Sequence, residues 1–292
     1  MLFLRKGRFS LSKGKIYLLI AAFLYGIAPM LAKVTYSGGA NGITLSFLRT
    51  ALSVPILFAI MKANKRSLKL TKRQLKSIII LGVFGGALPI LLLYFSYNFI
   101  STGLATTLHF VYPLIIVLAS ALLYHEKISK FKLLSVILVT LGIFMFADIE
   151  AASDSVGIVL ALLSGVFYSF FVMYIDRSGL DSMDYIKLTF YLMIIMSIVT
   201  LSFGFIVHGL SFDLSGQAWS FAAVISLIGT LGAMPLFQLG VRYEGASTAG
   251  IMSTFEPITS VALGAVFLGE FVGVSQIFGI AMILSGIIVS HK

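Results

Sequence analysis

From Ser77 to Phe95 the chain reads SIIILGVFGGALPILLLYF, nineteen residues without a charge. A bilayer core is crossed by a helix of roughly 20 mostly apolar residues. Ten segments of this kind can be marked, near residues 14–35, 43–62, 76–97, 101–124, 131–147, 156–176, 185–208, 218–241, 245–268 and 274–290. Short polar or glycine-containing breaks separate them. In hydrocarbon every backbone N–H and C=O must be satisfied within the structure, which leaves helices and closed barrels. Barrel strands would alternate over about ten residues, and these runs are longer and unbroken. The composition agrees: 59% of residues are hydrophobic, 11% are charged and the mean hydropathy is +1.05, against about 25% charged in soluble chains. The expected fold class is an all-α integral membrane protein. Residues 1–13 are basic, and the first apolar run is long enough to span and lacks a small-residue cleavage site, so it reads as a retained helix. There is no cysteine.

The net charge of +10 is unevenly placed. Lysines and arginines gather before the first segment, around the second connection and in the fourth (Lys127, Lys130 and Lys132). The alternate connections YSGGANG, YNFIS, DIEAASDS, GLSFDLSGQ and GEFVGV have none. The positive-inside rule then puts both termini in the cytoplasm and the chain in the cell membrane. The basic charge reads as topology and attraction to lipid head groups, and nucleic acid is not an expected partner.

Laid against itself at an offset of 144, the chain brings Pro113 onto Pro257, Glu126 onto Glu270 and Gly142 onto Gly286 without a gap. Seven of 49 positions between 97–145 and 241–289 are identical. An offset of 143 brings Gly14 and Tyr25 onto Gly157 and Tyr168. The halves agree in kind: a proline within a helix, a glutamate thirteen residues later, a break, and a glycine-containing helix. The expected organisation is a basic stretch at 1–13, a first five-helix repeat at 14–149 and a second at 150–292. Five is odd, so the second repeat enters from the opposite side. Inverted repeats allow one fold to open alternately to either side.

FLYGIAPMLAK, SFLRTAL and the paired proline–glutamate elements in HFVYPLIIVLASALLYHEKIS and STFEPITSVALGAVFLGEFVG resemble the EamA family of the drug/metabolite transporter superfamily, from about residue 14 to 290. The resemblance implies ten helices around a central cavity lined mainly by helices 1, 3, 4, 6, 8 and 9. It also implies carrier-mediated movement of small metabolites, often export of amino acids or related compounds.

Ionisable groups within spanning segments are costly and mark functional sites by default. Glu256 lies near the middle of helix 9, with Ser253 and Ser260 on the same helical stripe, and Pro257 removes the helical partner of the Ser253 carbonyl. Tyr112 and His109 take the positions equivalent to Glu256 and Ser253 in the first half. Inverted symmetry would bring these two helix midpoints together, making His109 and Glu256 a candidate proton relay. Arg49 in helix 2 can bind a carboxylate bidentately or serve structurally. Tyr25 on helix 1, together with Tyr94 and Gln238, which share a repeat position, are expected to line the cavity. Pro29, Pro89, Pro113, Pro235 and Pro257 are candidate kinks. Glu126 and Glu270 stand at helix ends and read as scaffold. Lys33 and Asp176, on one repeat position, read as helix-end residues.

No nucleotide-binding loop is present, and His109, His125, His208 and His291 are scattered without metal-ligand spacing, so no metal and no cofactor are expected. The reading is a secondary active transporter moving a small polar metabolite, an amino acid or amine, outward across the cytoplasmic membrane. The expected partners are a small-molecule substrate, a proton or other ion, and membrane lipids, with the chain a monomer or homodimer. A lipid or lipid-linked sugar translocator is the alternative. An intramembrane enzyme using Glu256 and His109 as acid and base would need a nucleophile motif that the sequence lacks, so the chain is not read as an enzyme.

Overall fold

The computed structural model describes residues 12–146 and 154–290. Arg5, Lys6 and Arg8, residues 148–153 of the DIEAASDS connection with the boundary drawn at 149/150, and His291 lie outside the described residues. Among the described residues the fold is helical with no strand. Its α-helices in chain order are α1 (Lys13–Ser37), α2 (Gly42–Ala51), α3 (Ser53–Ala63), α4 (Lys72–Ile80), α5 (Leu88–Ser96), α6 (Thr102–His109) and α7 (Tyr112–Tyr124). They continue with α8 (Lys130–Phe144), α9 (Ser155–Arg177), α10 (Tyr185–Ile206), α11 (Gly216–Ser226), α12 (Met234–Ser253), α13 (Phe255–Leu268) and α14 (Val274–Val289). Several are consecutive pieces of one rod. Seven stretches are long and apolar enough to cross a membrane. One of them, Gly216–Leu268, has 53 residues and holds two of the segments marked in the sequence. The α8 and α14 helices, of 15 and 16 residues, are shorter than that standard.

Proline explains most of the breaks within these rods. Its ring clashes with the carbonyl four residues back and supplies no N–H to it. The helix is interrupted at Leu52 before Pro55, at Phe110 and Val111 before Pro113, and at Thr254 before Pro257. Two other prolines are met differently. Leu81–Ala87 and Leu227–Ala233 are π-helical, and each ends two residues before a proline, Pro89 or Pro235. The wider turn shifts the hydrogen-bond register where the proline would otherwise clash. Pro29 sits within an unbroken α1.

Small residues let the rods approach closely, as in membrane bundles generally. A Cβ on Gly142 would stand 2.8 Å from the Gly279 carbonyl oxygen, and one on Gly279 would stand 2.6 Å from that of Gly142, so α8 and α14 touch backbone to backbone. A Cβ on Gly26 would lie 2.7 Å from the Glu256 carbonyl oxygen, which fixes how near α1 comes to α13. Buried hydroxyls donate to their own helices: Thr50 to the Ser46 carbonyl, Ser169 to Gly165 and Thr200 to Met196. Large apolar side chains lie on the outside, Phe271 at 90% exposure, Ile206 at 76% and Val266 at 74%, as expected where the surrounding medium is hydrocarbon.

Polar links define two ends of the bundle. At one, Ser12 donates to Glu244, Arg66 pairs with Asp184, Arg177 pairs with Glu126, and Ala246 N–H donates to Asp176 at 3.3 Å. At the other, Lys33 pairs with Glu270, Asn41 donates to the Gly209 carbonyl at 2.8 Å, and Ser215 N–H donates to Gly38 at 3.0 Å. Glu126 and Glu270 each follow a left-handed residue that closes a helix, His125 (φ 53°) and Gly269 (φ 66°), and the Glu126 and Glu270 N–H groups donate to Ser120 and Gly264.

Candidate functional site

A cavity of ≈ 700 Å3 enters the bundle from the Lys33–Glu270 end, within the 300–1,000 Å3 range of small-molecule sites. Breaks and kinks place its polar groups. The interruption before Pro257 starts α13 at Phe255 and sets Glu256 in its first turn, facing the cavity beside Pro257 and Ser260. The matching interruption before Pro113 brings His109, at the end of α6, and Tyr112, at the start of α7, onto the same wall. Tyr25, Pro29 and Lys33 line it from α1, Arg49 from α2, Pro89 and Tyr94 from α5 and Tyr168 from α9.

Arg49 supplies the charge opposite Glu256. The two do not form an ion pair, and among the described residues neither side chain has a hydrogen-bond partner; both border open cavity. Gly229 leaves the room that Arg49 occupies: a Cβ there would be 3.6 Å from Nη2. Thr230 Oγ1 donates to the Arg49 carbonyl at 3.4 Å, tying the backbone there to the second π-helical turn.

Around these charges stands an aromatic wall. The Tyr112 and Tyr168 rings meet edge to face at 4.7 Å, and His109 lies 5.3 Å from Tyr168 and 5.6 Å from Tyr112. His109 Nδ1 lies 2.8 Å from Ser164 Oγ, whose own proton goes to the Ala161 carbonyl at 2.6 Å. That assignment makes Nδ1 the donor, with Nε2 left as an acceptor. His109 and Glu256 thus share the cavity without bonding to each other. Tyr25 donates to Met234 Sδ at 3.6 Å.

Two residues assigned from the sequence lie off the cavity. Gln238 is buried, its Nε2 donating to Thr189 Oγ1 at 3.0 Å and its Oε1 unpartnered. It borders a separate void of ≈ 10 Å3 at the Arg66–Asp184 end. Ser253 is buried and donates to the Ala249 carbonyl at 2.8 Å, with Tyr112 as its hydrogen-bonding neighbour. Pro113 and Pro235 also lie outside the lining. Conversely, Tyr36, Tyr97 and Tyr168 line the cavity without having been singled out as site residues. Tyr168 was legible as the repeat partner of Tyr25. Tyr36 and Tyr97 near helix ends carried no signal distinguishing them from interfacial aromatics.

Among solved structures, one crystal structure superposes with a TM-score of 0.81 at 16% identity, over 96% of this chain and 98% of the other. That likeness concerns the fold. An uncharacterized transporter of Synechocystis sp. is 25% identical across 92% of this chain and 90% of its own length. Mouse solute carrier family 35 member G1 is 23% identical across 83% of this chain and 68% of its own. Residues 12–147 and 155–291 each match the sequence profile of the EamA-like transporter family, two matches that together cover nearly the whole chain. With a multi-helix fold of membrane-spanning character, the chain belongs to the EamA-like transporter family.

Proposed function

We propose that this protein is a secondary transporter that moves a small zwitterionic or amine metabolite, an amino acid by preference, out of the cell by alternating access. In this reading the helices make ten crossings in two inverted halves, 14–149 and 150–292, with both termini cytoplasmic. The paired family matches and the paired helix ends at His125–Glu126 and Gly269–Glu270 support related halves. The basic connections support the orientation, which sets the cavity mouth on the outer side.

The observation that carries the substrate class is the unpaired Arg49 and Glu256 across one cavity. Buried charges are normally paired or hydrogen-bonded. A guanidinium and a carboxylate left open to the same space suit a ligand with a carboxylate for the first and an ammonium for the second. The aromatic wall offers faces to the cation and an apolar surface to the rest of the molecule. His109, with an acceptor nitrogen left free, is the candidate proton carrier.

The test is flux in proteoliposomes. Purified protein should accumulate or release labelled amino acids or amines from a broad panel in a gradient-dependent way, and Glu256→Gln should abolish it. Absence of flux for every member of the panel, with no effect of Glu256→Gln in cells, would refute the proposal.

A further inference from the structure

The two ends of the bundle are built from repeat-equivalent positions yet differ in one helix crossing, and the difference identifies a gate. At the Arg66–Asp184 end the closing α7 crosses the start of the rod that leads into α13. A Cβ on Gly250 would meet Ile116 Cδ1 at 3.0 Å and Pro113 Cα at 3.4 Å, and Ser247 donates to Glu126 Oε2 at 3.4 Å. The offset of 144 turns each of these partners into a residue of the other end. Pro113 becomes Pro257, Ile116 becomes Ser260 and Glu126 becomes Glu270, while Ser247 becomes Gly103 and Gly250 becomes Thr106. All five counterparts line the open cavity. Gly103 is so free that a Cβ added to it would meet nothing within 4 Å. The crossing that seals one end is therefore unmade at the other, where its proline and its glutamate recur as Pro257 and Glu270.

The same offset accounts for Gln238. Its counterpart Tyr94 stands in the open cavity, while Gln238 sits beside the ≈ 10 Å3 void with an unpartnered Oε1. That void has the place of a collapsed inner vestibule.

We infer that the outer end closes by bringing Thr106 and Gly103 of α6 against Ser260 and Pro257 of α13 and against Glu270, as the Gly250–Ile116 and Ser247–Glu126 contacts part. The inference rests on the alternating-access reading. It adds the contact at which each side seals and places the inner path at Gln238. The ion pairs Lys33–Glu270 and Arg177–Glu126 are not the moving parts, since both are formed here. They fasten neighbouring helices of opposite halves while α6–α13 and α7–α12 approach or separate.

The chain contains no cysteine, so engineered pairs report without background. The full-length protein in native membranes would carry Thr106→Cys with Ser260→Cys, or Ile116→Cys with Gly250→Cys, and be exposed to an oxidant. The inner pair should cross-link from the state described here, and the outer pair should cross-link as well, because the protein visits the closed-outside state. Locking either pair should stop flux, and reductant should restore it. Gly103→Leu supplies an arm independent of cysteine chemistry. Its side chain has room in this state, so the variant should fold and melt as the parent does, while flux falls and the outer cysteine pair no longer cross-links in its presence, because the outer seal cannot form. An outer pair that never cross-links while the inner pair does, or full flux in Gly103→Leu, overturns the inference. Cross-linking at both ends in a protein that moves no tested solute would leave the gate standing and refute the transport reading instead.

Discussion

Arg49 of α2 and Glu256 of α13 present opposite charges to one cavity and stop short of an ion pair. A direct pair would be self-contained and leave little for a solute to do. The observed separation leaves each group to be completed by something that enters. Charge-assisted hydrogen bonds contribute about 1.5–3 kcal/mol each. Loss of either partner should therefore weaken binding by roughly 10- to 150-fold. Glu256→Gln and Arg49→Gln should each lower the rise in melting temperature that a given concentration of substrate produces. Arg49→Lys should recover only part, because an ammonium cannot make the two parallel bonds of a guanidinium. Ligand-dependent melting curves of detergent-solubilised protein decide this, and an unchanged shift in Glu256→Gln would remove the carboxylate from the site.

His109 lines the cavity and is oriented by Ser164 at 2.8 Å from Nδ1, which leaves its second nitrogen without a protein partner among the described residues. If that nitrogen carries the coupling proton, His109→Gln should keep substrate exchange under equal concentrations on both sides and lose transport driven by a proton gradient. Ser164→Ala should keep both, with the pH dependence of gradient-driven flux displaced because imidazole orientation is no longer fixed. Counterflow and gradient-driven uptake measured on the same vesicles separate the two. Equal loss of both in His109→Gln would make the histidine part of substrate binding or of the packing.

The cavity was legible where chemistry was out of place. Glu256, His109 and Arg49 stood out because charge within an apolar run needs a reason, and Tyr112 stood out because repeat alignment set it opposite Glu256. Gln238 shows where that reasoning ends. Its repeat partner Tyr94 faces open cavity, but the cavity opens at one end of the bundle only, so equivalent positions have unlike surroundings. The helical, membrane-spanning character was readable from hydropathy. The π-helical turns before Pro89 and Pro235 were not, since nothing in the residue pattern separates a proline met by a wider turn from one that breaks the rod, as at Pro113. Nor did a lysine near the end of helix 1 and a glutamate 237 positions later announce the Lys33–Glu270 pair, which depends on how the halves are docked.

Asp184 caps α10, accepting the Lys187 N–H at 2.9 Å, and pairs with Arg66 from the α3–α4 connection. Burial alone would raise its carboxyl pKa, but the Arg66 guanidinium and the Lys187 and Ile186 N–H groups outweigh it and hold the value below the ordinary aspartate range. A carboxylate with a lowered folded-state pKa stabilises fully above its unfolded value of about 3.9 and loses that contribution as pH falls through the folded value. Both side chains are partly exposed, so solvent screening keeps the pair small; cap and ion pair together should contribute about 1 kcal/mol. Asp184→Asn keeps an N-cap and loses only the ion pair, so it should melt slightly lower than the parent at pH 7, with the gap closing in acid below the aspartate range. A gap that stays constant between pH 7 and pH 3 would show that the carboxylate charge is not the stabilising element.

Gly245 and Gly269 both have positive φ, and the sequence treats them alike, yet substitution should separate them. Gly269 ends α13 at φ 66° and ψ 25°, the left-handed helical region that other residues reach at a cost of about 1 kcal/mol. Its counterpart His125 occupies that region with a full side chain. Gly245 lies within α12 at φ 77° and ψ 166°, a region essentially confined to glycine, where any Cβ is strained by about 1–3 kcal/mol. Space is not the obstacle there, since the nearest atom to an added Cβ is Asp176 Oδ2 at 4.0 Å. The strain is in the backbone, at the hinge that turns the long Gly216–Leu268 stretch back through the bundle. Gly245→Ala should lower the melting temperature clearly more than Gly269→Ala, and it should loosen the neighbouring Ala246 N–H bond to Asp176. Equal losses, or a larger one at Gly269, would mean that the turn at Gly245 relaxes into an ordinary conformation when a side chain is added.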